Sequence, residues 1–302
     1  MKQYFLGIDI GGTNIKSGII DAKGDIKEEK IDKTIKDSKE NFYNNLNKII
    51  EIYQSKYNIE RIGIGFPALI DYDSGKILKA PNLRIIDNSK YDKYLNDKIE
   101  FHFDNDANFA AFGEYSLLGD KKEKINSLLF ITLGSGLGTG LIIKGDIYHG
   151  ASNFIEGGHI IVNPEGNRCA CGSYGCIESE VSSTALKRYY KEITGKEVSD
   201  PIEIYEKGMS GEDAALKTFD NFGYFLGLAL ASYNNLLNPN MIIIGGGLSN
   251  FSNLFLDKAI EILSERSYIY KYFKPEIRLS KLMNRAGFLG AAFYVRDKYD
   301  KR

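Results

Sequence analysis

All three cysteines of this chain fall within eight residues, in "CACGSYGCIESE" (residues 169–180). Cys169, Cys171 and Cys176, together with His159, form the pattern H-x9-C-x-C-x4-C. Three thiolates and one imidazole are the donor set of a closed, tetrahedral, structural Zn²⁺ site. Gly172 and Gly175 allow the backbone to wrap tightly around an ion, and His149 is the one competing candidate for the fourth ligand. The alternative is three reduced bystander thiols. In a reducing compartment, clustered cysteines point to a metal rather than to a disulfide framework. If the ion takes one imidazole nitrogen, the other faces a neighbouring group. Glu156 and Glu178 flank His159 and Cys176. Held in this way, Glu156, His159 and Glu178 could hydrogen-bond a polar ligand together.

A second candidate for chemistry is "FHFDNDANFAAFGEY" (101–115), which puts Asp106 at a strand-to-helix junction. As an N-cap, Asp106 would accept backbone N–H bonds, a role worth about 1 kcal/mol. With one oxygen facing substrate, the positive helix start would keep it ionised and ready to take a proton from a hydroxyl. Asp104 is the competing carboxylate. A base, an oriented hydroxyl, a metal and charge stabilisation are most of what phosphoryl transfer asks of a protein.

Glycine turns supply the remaining chemistry. Gly11-Gly12-Thr13 and Gly134-Ser135-Gly136 each follow an apolar strand, and Gly245-Gly246-Gly247 makes a third such turn. Without a Cβ in the way, backbone N–H groups can approach a phosphate closely. Each turn taken singly is better explained as a tight hairpin; the combination of three turns and a carboxylate is what points to phosphate. No Walker motif is present, and "GIDIGGTN" runs on into a strand rather than a helix, which excludes a Rossmann fingerprint. Asp9, beside the first turn, would suit Mg²⁺, which takes one or two carboxylates plus phosphate oxygens; otherwise it is a structural partner of the turn amides.

The elements that must position these residues can be read around them. "YFLGIDIGGTNIKSGIID" is strand, glycine turn, strand, and "LLFITLGSGLGTGLIIKGDIY" repeats the design half a chain later. Residues 40–57 have helical spacing, "RIGIGFPALI" is a buried strand ending in a loop, and residues 107–119 read as a helix ending at Gly119. "STALKRYYKEIT", "TFDNFGYFLGLALASYNNLLN" and "AGFLGAAFYVRDKY" read as helices, and "PNMIIIGGG" as a buried strand. The charged residues 120–124 are a candidate domain junction. Strands alternating with helices give an α/β class, and 302 residues suffice for two domains. Lys and Arg (39) balance Asp and Glu (40), so charge gives no reason to expect nucleic acid or an anionic membrane. Residues 125–143 are uncharged, but glycines and hydroxyls make them two strands and a turn rather than a membrane span. Asp9 interrupts the first apolar run too early for a signal peptide, so a cytoplasmic location is expected.

Taken together, these motifs resemble those of the actin-like sugar kinases, and "GHIIVNPEGNRCACGSYGCIE" is very similar to the zinc signature of the ROK family (repressors, open reading frames, kinases). The likeness extends through "GIGFPALID", "APNL", "DNDANFAAFGE", "LGSGLGTGLIIKGDIYHG", "NNLLNPNMIIIGGGLS" and "AGFLGAA". It implies two actin-like (ribonuclease H-like) ATPase domains around a central cleft. The first would span residues 1–119 plus a returning helix, 287–302, and the second residues 120–286. By position, Asp106 matches the catalytic base. Asn82, Asn105, Glu156, His159 and Glu178 match sugar contacts, and His159, Cys169, Cys171 and Cys176 match the zinc ligands. Asp9, Gly11, Gly12, Thr13, Asn14, Lys16, Thr132, Gly134, Ser135, Gly136, Gly245, Gly246 and Gly247 fall in the nucleotide-binding segments. The implied activity is transfer of the ATP γ-phosphate to the 6-hydroxyl of a hexose, with Mg²⁺ and structural Zn²⁺, in a homodimer. Glucose is the first choice of sugar, N-acetylmannosamine the next, and fructose behind it. Ala68, Phe154-Ile155-Glu156 and Ser135 depart from the family's common Gly, Ala-Gly-Glu and Thr, and the first two leave the hexose open. A sugar-sensing repressor would carry an N-terminal helix-turn-helix, and this chain opens three residues before its first expected strand.

Overall fold

The computed structural model describes residues 2–72, 74–95, 99–151 and 155–299, so Phe154 lies outside the described residues. The chain divides into two compact units. One comprises Met1–Lys124, Gly140–Ile155 and Asn284–Arg302, and the other Ile125–Thr139 and Glu156–Met283.

Each of two five-stranded sheets is a three-strand meander extended by two parallel strands. In the first, β1 (Tyr4–Ile10), β2 (Asn14–Asp21) and β3 (Ile26–Lys33) pair antiparallel in sequence. After α1 (Lys39–Gln54), β4 (Ile59–Phe66) returns parallel to β1. A small hairpin of β5 (Leu69–Asp71) and β6 (Lys76–Lys79) precedes β7 (Glu100–Asn105), which runs parallel to β4 and leads into α2 (Asp106–Ser116). The strand order is β3-β2-β1-β4-β7. The second sheet repeats the scheme with β8 (Ser127–Leu133), β9 (Leu137–Ile143) and β10 (Asp146–Ile147). Helices α3 (Ile177–Glu180), α4 (Ser183–Thr194), α5 (Pro201–Met209) and α6 (Asp213–Leu237) follow. Then come β11 (Met241–Gly245), α7 (Leu256–Arg266), β12 (Glu276–Leu279) and the terminal α8 (Ala286–Tyr299), giving the order β10-β9-β8-β11-β12. The same order in both sheets is the duplicated α/β design expected from the two glycine hairpins. The unit boundary falls within β9, whose residues from Gly140 onward belong to the first unit.

In the first unit the apolar run of β1 is buried because it lies mid-sheet with the terminal helix packed on it, whereas "IKEEKIDK" keeps β3 a charged, exposed edge that resists further pairing. Ser38 caps α1 by accepting from Asn41 N–H, and Phe42, Leu46, Ile49, Ile50 and Tyr53 line its buried stripe. Helix α8 lies close on β1 and β4 because Gly7 and Gly63 present no side chain: a β-carbon on either would strike the α8 backbone at Phe288 or Ala291.

In the second unit α6 buries Phe219, Phe222, Leu226 and Leu230 and ends at Asn238 in the left-handed conformation, just before Pro239. Asp200 and Glu203 form a capping box at the start of α5.

Three local expectations are corrected. Helix α2 ends at Ser116 rather than Gly119, and residues 119–124 form a 3-10 turn. Helix α6 starts at Asp213, earlier than its apolar run. The loop expected after "RIGIGFPALI" contains the β5–β6 hairpin, too short to register as an alternating pattern.

Candidate active site

The end of β7 separates two carboxylates that the sequence leaves in competition. Asp104 is 2 % exposed and its oxygens are occupied. Oδ1 accepts from Tyr72 OH at 2.5 Å, Asn108 Nδ2 at 2.7 Å and Asn105 N–H at 2.7 Å, and Oδ2 lies 2.7 Å from His149 Nε2. A carboxylate so engaged cannot take a substrate proton without breaking its surroundings. Asp106 is only part-buried, and its Oδ1 accepts from Ala107 N–H at 2.9 Å. The expected N-cap is corrected: Asn105 is the cap, with extended φ,ψ and a side chain accepting from Ala107 N–H, and Asp106 is the first helical residue. Asn and Asp are equally good caps, so sequence could not choose between neighbours. Asp106 still stands in the first turn, where the helix dipole favours its ionised form. Asn105 Nδ2 also reaches Ala68 O at 3.5 Å.

Also in the first unit, the Gly11–Thr13 turn is tied down by Thr34, whose Oγ1 donates to Gly11 O at 2.7 Å and whose N–H donates to Thr13 O. Gly11 N–H donates to Asn14 O, closing the turn. Gly12 lies against Asn82, since a β-carbon there would be 3.1 Å from Asn82 Cβ. Asp9, half-buried at the end of β1, sits against Gly287 at the start of α8 and has no hydrogen-bond partner among the described residues. Burial pushes its carboxyl up to about 6, against the opposing pull of Lys16. Lys16 Nζ itself donates to Asn284 O at 3.1 Å. An unpartnered carboxylate beside an anion-receptive turn fits a divalent cation.

In the second unit, Gly134 N–H donates to Gly136 O, and Gly134 O accepts from Ser183 N–H. The third glycine turn packs beside the second: Gly246, at φ +83°, lies against the backbone of Leu133, while Gly245 pairs with Thr132 across β11 and β8. Gly134 and Gly247 face open space and Ser135 is exposed. Backbone is thus accessible on both turns, as a phosphate chain would require.

The cysteine loop lies in the same unit. The ligand atoms of His159, Cys169, Cys171 and Cys176 all lie within 4.8 Å of one another. Cys169 Sγ is 3.6 Å from His159 Nδ1, and Cys171 Sγ is 3.6 Å from Cys176 Sγ. Ordinary Zn–S and Zn–N bonds at tetrahedral angles put such donors about 3.6–3.8 Å apart, so the four residues fit Zn²⁺. Gly175, at φ +67°, presses on the backbone of Asn163, where any side chain would collide. With Nδ1 turned to the thiols, His159 Nε2 faces Glu156 Oε2 at 3.9 Å. Burial, with the nearby Glu178 charge adding to it and His159 opposing, raises the Glu156 carboxyl above its ordinary range. Glu178 Oε2 accepts from Leu137 N–H at 3.1 Å, and Cys169 Sγ lies 3.6 Å from Glu178 Oε1, which links the metal loop to the second glycine turn. His149 faces Asp104 rather than the thiols.

Several supporting residues carry no motif. Glu180, 1 % exposed, accepts from Arg188 Nη2 at 2.7 Å and Tyr189 OH at 2.6 Å. Its Oε1 accepts from Asn163 Nδ2 and Asn167 N–H in the loop between His159 and Cys169. Tyr72 and His149 do the same for Asp104. The one sequence signal was a histidine in a chain that has three.

Comparison with known proteins adds to this geometry. The profile of the ROK family matches residues 5–298. A glucokinase from Halalkalibacterium halodurans is 32 % identical over 98 % of this chain and 96 % of its own. A xylose repressor from Caldicellulosiruptor bescii is 32 % identical over 96 % of this chain and 77 % of its own. A ROK family glucokinase from Streptomyces griseus, solved with glucose and AMPPNP, superimposes with a TM-score of 0.82 at 28 % identity, covering 97 % of this chain and 99 % of that one. No helix among the described residues is long and apolar enough to cross a membrane.

Proposed function

This chain belongs to the ROK family, and on that basis we propose that it is an ATP-dependent hexose kinase with glucose as first substrate. Glucokinases match it nearly end to end in sequence and in structure. The observation that carries the reading within the chain is the unequal fate of two neighbouring carboxylates. Asp104 is saturated with donors, and Asp106 stands part-buried at a helix start.

In this reading Asp106 accepts the proton of the sugar 6-hydroxyl as that oxygen attacks the γ-phosphorus, and ADP leaves with the former bridging oxygen. The turns at Gly11–Thr13, Gly134–Gly136 and Gly245–Gly247 offer backbone N–H groups to the nucleotide, with Asn14, Lys16 and Thr132 alongside. Asp9 would hold Mg²⁺, which supplies neutralisation of phosphate charge when bound. Asn82, Asn105, Glu156, His159 and Glu178 would bind sugar hydroxyls. His159 with Cys169, Cys171 and Cys176 would hold Zn²⁺, whose contribution is to fix the loop that orients His159. The protein would act as a cytoplasmic homodimer without nucleic acid as a partner, which light scattering and a DNA-shift assay test directly.

The repressor relative favours a second reading, a sugar-binding regulator without turnover. A coupled ADP-release assay over glucose, N-acetylmannosamine, N-acetylglucosamine, fructose and mannose separates the two. Hexose-dependent ADP release, highest with glucose, is expected. Sugar binding with no ADP release would support the regulator instead.

A further inference from the structure

The buried cluster around Asp104 is not used by the chemistry above, yet it abuts the proposed base. Its donors come from three separate stretches: Tyr72 just after β5, Asn108 on α2, and His149 after β10. Tyr72 OH also accepts from Asn105 N–H at 3.3 Å, and the Tyr72 and His149 rings pack with centroids 5.0 Å apart. An ionised Asp104 offers only acceptors, so His149 Nε2 is the donor in that pair. The consequence lies in the next three residues. Asn105 N–H is held by Asp104 and Tyr72, while Ala107 N–H is held by the Asn105 side chain. Asp104 Oδ1 thereby holds the chain just before Asp106, at Asn105 N–H, and two residues after it, at Asn108 Nδ2. A base must be held to within a fraction of an ångström of its proton, and a misplacement of about 1 Å can lower rate about 100-fold.

We propose that Tyr72, Asp104 and His149 form a part-buried clamp that positions Asp106, with His149 and Tyr72 acting as positioning residues for phosphoryl transfer. This rests on the kinase reading above. It differs from simple bracing of the fold because the bonds of Asp104 meet the chain on either side of one side chain, at Asn105 N–H and at Asn108 Nδ2.

The test uses the full-length protein and three variants: His149→Leu, His149→Gln and Tyr72→Phe. With glucose and ATP, His149→Leu is expected to lower kcat about 10- to 100-fold while the KM for ATP stays within twofold. His149→Gln keeps an N–H donor and should recover most of the loss. Tyr72→Phe, which keeps the ring, should lower kcat about 5- to 10-fold. Equal kcat in wild type and His149→Leu, with only a lowered melting temperature, overturns the clamp. Amide hydrogen exchange gives a second readout that needs no turnover. The Asn105 amide should exchange at least tenfold faster in His149→Leu and be restored in His149→Gln; unchanged exchange also overturns the clamp. A wild type that phosphorylates no hexose defeats the kinase reading, and exchange then judges the clamp by itself.

Discussion

Replacing Asp9 with Asn should stabilise the ligand-free protein and abolish its activity. The Asp9 carboxylate is half-buried with no hydrogen-bond donor among the described residues, and burial lifts its pKa from 3.8 to about 6. A raised acid pKa means that the folded state resists ionisation. The cost is absent below pH 3.8, grows as pH rises towards 6, and is complete above it. About two pKa units at 1.36 kcal/mol each give an upper value of about 3 kcal/mol. Solvent screening of a half-buried group brings the expected gain to about 1–2 kcal/mol. Urea unfolding of wild type and Asp9→Asn measures it directly. The variant should be more stable by that amount at pH 7.5 and equal to wild type near pH 4. Added Mg²⁺ and ATP should stabilise wild type but not the variant at pH 7.5, and turnover should fall at least about 100-fold. An Asp9→Asn protein that is less stable than wild type at pH 7.5, or that keeps its turnover, would refute the reasoning.

Other perturbations reach separate parts of the site. A β-carbon at Gly136 would overlap Glu178 Oε2, which must retreat by about 1 Å to reach ordinary contact. Gly136→Ala should therefore raise the KM for glucose about 10- to 100-fold, measured beside an unchanged zinc content. Stripping metal with a chelator, or Cys176→Ser, should remove one zinc per chain by elemental analysis, lower the melting temperature and raise the KM for glucose. Glu180→Ala leaves Arg188 without its buried partner and releases Asn163 and Asn167, so a loss of about 3–5 kcal/mol is expected in denaturant unfolding. Burial alone would raise the Glu180 carboxyl, but Tyr189 and Arg188 outweigh it and hold it below the usual carboxylate range. Its stabilisation should therefore be lost as pH falls through that lowered value.

Both hairpins and the long helices were legible in the sequence because their signals are local: an apolar strand, a glycine turn, an apolar strand, or a stripe at helical spacing. The four candidate metal ligands were legible for the same reason, since one short loop carries them and its glycines close it. What could not be read depends on distant partners. Asp104 and Asp106 are both acids beside one helix start. Tyr72 and His149, 32 and 45 residues away from Asp104, mark it as the buried, saturated carboxylate beside a part-buried neighbour. Glu180 likewise looks like a surface acid in "CIESE" until Arg188, Tyr189, Asn163 and Asn167 close around it. The N-cap was misplaced by one residue because "DND" offers three equivalent caps in a row. The β5–β6 hairpin escaped notice because strands of three and four residues show no periodicity.

The most direct test of the account is single-turnover formation of hexose 6-phosphate from glucose and ATP by wild type and by Asp106→Asn, with glucose affinity measured in parallel. Wild type should phosphorylate glucose, and the variant should bind glucose with similar affinity yet transfer phosphate at least about 1,000 times more slowly. Transfer by Asp106→Asn at the wild-type rate would contradict the assignment of the base.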